Sequence, residues 1–127
     1  MPIQPNTQLK GAMSFQGIMS QSGTDDPTMI VIQDDWKGIK WTRRGVGDYI
    51  GTKTGKFLQH KMRSTLFGNN FGTTMIPISG STTGYYQVSP GPNTDYVTVG
   101  VFADLAYTPI DLSDIGGTIL IQFTQNH

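Results

Sequence analysis

The chain has 127 residues, of which 36% are hydrophobic and 14% charged, both below the averages of about 45–50% and about 25% for globular domains. Nine basic and nine acidic residues cancel to a net charge of +0 at pH 7, which excludes the highly charged disordered class, and no apolar run approaches the about 20 residues of a membrane-spanning helix. One domain with one core suits this length.

The acidic residues are all Asp, with no Glu, and Ala stands only at 12, 103 and 106. Asp favours turns and caps whereas Glu and Ala favour helix interiors, so with 16 Gly the composition predicts an all-β fold. The lack of Cys removes disulfides, thiolate metal sites and a cysteine nucleophile. MPIQPNTQLK at the start has no charged region followed by an apolar stretch, so a chain made in the cytoplasm without a signal peptide, and used as made, is expected.

Along residues 9–21, Met13, Phe15, Gly17 and Met19 alternate with Ser14, Gln16, Ile18 and Ser20, the period of a strand, and residues 1–8 precede it as an extended arm. TMIVIQ at 28–33 is a β-branched run suited to a buried strand. GIKWTR and VGDYIGTKT form a hairpin in which Trp41 and Tyr49 are placed to pair across the strands. Further strands are expected at 61–67, 73–78 and 83–89, with turns at GNNFG and PGPN.

YVTVGVFAD at 96–104 is the clearest strand, with Val97, Val99, Val101 and Ala103 on one face and Tyr96, Thr98, Gly100 and Phe102 on the other. A loop over 105–117 leads to a last strand at 118–124. Nine to ten strands with turns about every 8–12 residues predict a single antiparallel β-sandwich spanning 1–127, jelly-roll-like in its connections, with no helix longer than a turn. Val97, Val99, Val101, Trp41 and Tyr49 are its expected core or interface positions.

Charge is segregated along the chain. Residues 1–36 carry −3, residues 64–127 carry −4, and Lys37, Lys40, Arg43, Arg44, Lys53, Lys56, Lys61 and Arg63 against Asp48 give residues 37–63 a charge of +7. Such a stretch serves as guarded strand edges or as a face for an acidic neighbour. Head-to-tail matching between subunits ranks above nucleic acid, because a nucleic-acid binder normally has a basic overall balance.

Chemistry-bearing residues are few. His60 lies in a Lys-rich stretch and His127 is the last residue, a poor basis for a triad or a metal site. Asp25–Asp26 and Asp34–Asp35 read as turn carboxylates rather than catalytic pairs, since neighbours on an extended chain point to opposite sides; a calcium site sharing those loops is the weaker option. GVGDYIG lacks the helix that a phosphate loop needs. Trp36, Tyr85, Tyr86 and Tyr107 lie among polar turn residues, as anchors in a partner interface or platforms for a sugar. With Arg43 and Arg44 they are the candidate partner or ligand contacts; no catalytic, metal or cofactor residue is assigned.

Residues 18–57, IMSQSGTDDPTMIVIQDDWKGIKWTRRGVGDYIGTKTGKF, resemble a pattern of small, virion-associated proteins of bacteriophages and prophages, largely of Bacteroidetes hosts. The elements that carry the likeness are SQSGT, a Pro-Thr strand entry, a short apolar strand, a W-T-R strand and G-x-Y-x-G-T-x-T-G-x-F. The link QDDWKG and everything beyond Gly68 fall outside it. The resemblance implies a virion structural protein, a capsid decoration, spike or fibre/tail module without enzymatic activity, located in the virion. Its partners would be other virion proteins and its own copies, a trimer being the specific expectation. The alternatives are a module binding a carbohydrate or host receptor, and a glycan-cleaving tail component using two Asp.

Overall fold

The computed structural model describes residues 13–57, 62–63, 76–78, 84–90 and 94–125. In chain order these form β1 (Met13–Ser20), β2 (Thr28–Asp34), β3 (Lys40–Gly45), β4 (Asp48–Thr52), β5 (Met62–Arg63), β6 (Ile76–Pro77), β7 (Tyr85–Pro90), β8 (Tyr96–Phe102), the single helical turn α1 (Leu112–Ile115) and β9 (Ile119–Gln125). Two antiparallel sheets result, with strand orders β2-β1-β9-β5 and β3-β4-β8-β7-β6. The protein is an all-β sandwich. Its first and last strands pair in the middle of the smaller sheet, while β1–β2, β3–β4 and β6–β7–β8 are neighbours within a sheet. Hairpins and a meander join consecutive strands, and long connections set β8 beside β4 and β9 beside β1.

The core follows from alternation. In β1, Phe15, Gly17 and Met19 turn inward; in β9, Ile119, Ile121 and Phe123 do; in β8, Val97, Val99 and Val101 are fully buried. Across the gap between sheets, Phe15 meets Trp41 at 5.3 Å between ring centroids, and within its own sheet it stacks on its cross-strand partner Phe123 at 5.2 Å. Tyr86, buried on β7, sends its hydroxyl to the carbonyl of Leu120 at 2.7 Å, tying one sheet to the other. Each large apolar side chain removed from water contributes about 1.5–3 kcal/mol, and aromatic pairs add about 0.5–1.5 kcal/mol.

The β3–β4 register differs from the sequence expectation. Trp41 lies opposite Gly51, and Tyr49 lies opposite Arg43, so the two aromatics do not pair. A Cβ on Gly51 would come within 2.7 Å of the Trp41 ring; the missing side chain is the space the indole occupies. Trp36 and Phe57 close the neighbouring end of the core, 5.4 Å apart.

The largest departure is β2, expected to be buried. It is an edge strand, and Ile30, Val31 and Ile32 are 62%, 52% and 56% exposed. Gln16 pairs with Gln33 and Gly17 with Val31, so Ile32 is an extra residue in a β-bulge. That extra residue breaks the two-residue period. Met29 instead leans into the space over Gly17, where an added Cβ would approach its sulfur to 2.8 Å.

Candidate functional site

Most of the aspartates hold backbone. Asp34 accepts the N–H groups of Trp36, Lys37, Gly38 and Ile39 at 2.9–3.2 Å. Asp35 accepts from the N–H of Ser14, Asp26 from that of Arg43, and Asp95 from that of Gly55. Asp104 gathers the N–H groups of Ala106 and Thr108 and the Thr108 hydroxyl, and these bonds hold its carboxyl below the usual range. A short carboxylate next to its own Cα can cap a neighbouring turn, whereas one more methylene moves the oxygens out of reach. The all-Asp composition is thereby explained: Asp25–Asp26 lie in the connection after β1, and Asp34–Asp35 span the end of β2 and the start of its turn.

One buried cluster ties three loops together. The Arg43 guanidinium donates to both oxygens of Asp111, from Nε at 3.1 Å and Nη2 at 3.0 Å. Asp111 also accepts the buried N–H of Gly47 at 3.0 Å and has the Tyr49 hydroxyl 3.4 Å away. That hydroxyl donates to Gln21 Oε1 and accepts from the N–H of Leu112. The hydrogen bond from Arg43 leads the causes that keep the Asp111 carboxyl below its ordinary value, and burial pushes the Tyr49 hydroxyl up to about 12. Gly47 has a φ of 62°, and an added Cβ would lie 2.5 Å from the Val101 carbonyl; only glycine fits there. Asp111 and Gln21 carry no signal in the sequence, because their partners in the cluster lie 28–92 residues away.

The structure separates the residues that the sequence grouped as contacts. Trp36 is 4% exposed and donates its ring N–H to the Lys56 carbonyl, so it is a core residue and not an exposed platform. Tyr86 is likewise buried. Arg43 is spent on Asp111, a correction to its reading as a partner contact. Arg44 is exposed, paired with Asp48 and lying 5.3 Å from the Tyr96 ring centre. Tyr85 is half-buried opposite Phe102. Tyr107 is exposed, edge-on to Phe102 at 5.3 Å. Lys61, His60 and His127 lie outside the described residues, as does the Arg63 side chain. Among the described residues no cluster of three or more metal-ligating side chains occurs, and no helix is long and apolar enough to cross a membrane.

What remains on the outside is an exposed apolar strip. Among the described residues no strand pairs with the outer edge of β2, which displays Ile30, Val31 and Ile32 in succession, flanked by the uncharged Met29 and Gln33. On the outer face of the same sheet, Ile30 pairs with Ile18, and Ile18 with Leu120; the row continues the apolar edge inward. Below it runs a row of Gln33, Gln16 and Gln122. Unpaired backbone groups beside exposed apolar side chains are the means by which one sheet accepts another strand. No protein-family model matches the chain, and neither the curated proteins nor the solved structures contain a match.

Proposed function

We propose that this protein works by assembly, as a structural component of a bacteriophage particle of the decoration, spike or fibre/tail kind, attached to other virion proteins and to its own copies. The exposed apolar edge of β2 carries this reading. A water-exposed run of Ile30, Val31 and Ile32 is a liability for a protein that stays alone, and a docking strand for one that does not. The likeness of residues 18–57 to virion-associated proteins points the same way. Hydrogen bonds hold the Asp104 and Asp111 carboxyls below the usual range, opposite to the raised value a glycosidase acid needs. Of the four aromatics of a sugar-binding groove, two are buried.

The test is solution mass by light scattering on the full chain. An oligomer is expected, the specific expectation being a trimer of 13.9 kDa subunits. Replacing the edge residues, Ile30→Lys with Ile32→Lys, should return it to a monomer while leaving thermal melting within the small range of surface changes, about 0.5 kcal/mol. A wild type that is monomeric at every concentration, or an oligomer indifferent to those substitutions, would refute the reading.

A further inference from the structure

The two ends of the sandwich carry opposite charge. At one end the turn after β2 and the turn after β4 meet, since the Trp36 ring N–H donates to the Lys56 carbonyl and Lys53 Nζ to the Lys37 carbonyl. Lys37, Lys40 and Lys56 are exposed there and Lys53 is half-buried. Asp34, Asp35 and Asp95 at this end accept backbone N–H groups and are only partly exposed, so the lysines are what protrudes.

At the opposite end lie the turn after β1, the β3–β4 turn, the loop after β8 and α1. Ser113 bonds the Gly23 carbonyl, Val101 N–H bonds the Gly47 carbonyl, and Ile110 N–H bonds the Val101 carbonyl. Asp25, Asp26, Asp104 and Asp114 are exposed there, and none forms an ion pair with a described residue. Among them stand Val46, Leu105 and Tyr107, which are 53%, 65% and 56% exposed. Their loop is already ordered: Asp104 accepts three hydrogen bonds within it, and Tyr107 sits at a φ of 64°.

We propose that copies of this chain dock end to end, the lysine-bearing end of one on the aspartate-bearing end of the next. The exposed charges are opposite in sign at the two ends, the one exposed cation among the described residues of the aspartate end, Arg44, being paired with Asp48. Lysine stems are suited to cover Leu105 and the Tyr107 ring while the ammonium groups reach the carboxylates. A loop held in its bound shape loses little entropy on docking. The seven residues of β8 separate the ends by about 20 Å at about 3.3 Å per residue, more than the about 8 Å screening length of physiological salt, so each end presents its own field. Such a contact joins unlike surfaces and therefore builds a ring or a filament. It uses a different surface from the β2 edge and stands or falls separately.

The experiment compares solution mass at about 0.01 M and about 1 M salt, where charges act over about 30 Å and about 3 Å. The high-salt mass reads association through β2; growth above it at low salt reads the end contact. Two variants reverse one end each, Lys40→Glu with Lys56→Glu, and Asp25→Lys with Asp114→Lys, at side chains that make no hydrogen bond with a described residue. Each alone should keep its high-salt mass at low salt, and an equimolar mixture should regain the growth, because acidic ends then meet basic ones. Equal mass at both salts for the wild type, growth in either variant alone equal to wild type, or a mixture that does not grow would each overturn the proposal.

Discussion

Asp111→Ala removes the centre of the buried cluster, and its cost can be worked from the contacts. The Gly47 N–H is buried and loses its acceptor; an unsatisfied buried donor costs about 1–3 kcal/mol. Gly47 cannot turn away, because its backbone lies against Val101 and Ile110. Arg43 loses both of its bonds to the carboxylate, but its side chain is 21% exposed and recovers part of that loss from water. The sum is about 3–5 kcal/mol, the range for breaking one side of a buried pair, or a drop of roughly 12–20 °C in melting temperature at about 4 °C per kcal/mol. Differential scanning calorimetry measures it directly. Acid titration supplies an independent reading. The Asp111 carboxyl lies below its ordinary value when folded, so its contribution is present above about pH 4 and lost as pH falls through the folded value. The gap between wild type and variant should therefore shrink in acid. A melting temperature lowered by less than about 3 °C, or a gap that widens in acid, would refute this account of the cluster.

The core makes two further predictions. Val99→Asp places an unpaired charge between the sheets, where Val99 is fully buried, and should cost several kcal/mol and prevent cooperative thermal unfolding; an unchanged melting curve would show that this face of β8 is not inside. Gly51→Val forces a side chain into the Trp41 ring and the Ile39 methyl, 2.7 and 2.9 Å from the first added atom, at a cost of about 1–3 kcal/mol for overpacking. Equal or higher stability by chemical denaturation would mean that Trp41 does not cover that glycine.

Much of the inside was legible from the chain. Two-residue alternation in 13–20 and 96–102 depends only on the pleat, and the residues it turns inward, from Phe15 to Val101, are those that the sheets bury. The outside was harder to read. Trp36 sits between Asp35 and Lys37, a polar setting that suggested exposure, yet the turn held by Asp34 folds the indole back onto Phe57 and Phe123. Arg43 resembled a free cation until the fold brought Asp111 to it.

By itself the sequence determined the class of this protein: nine Asp without Glu, 16 Gly and few Ala leave strands and capped turns as the structure that local physics favours. It determined the phase of the regular strands as well, because one buried face fixes which residues turn inward. Only the tertiary structure decided which strand lies at an edge and which charges gather at which end. Strand order and end placement depend on pairings between segments dozens of residues apart, and periodicity along one strand carries no information about what lies beside it. TMIVIQ is the plainest case. A central strand and an edge strand write the same apolar run, and the difference lies in the neighbour that β2 has, among the described residues, on one side alone.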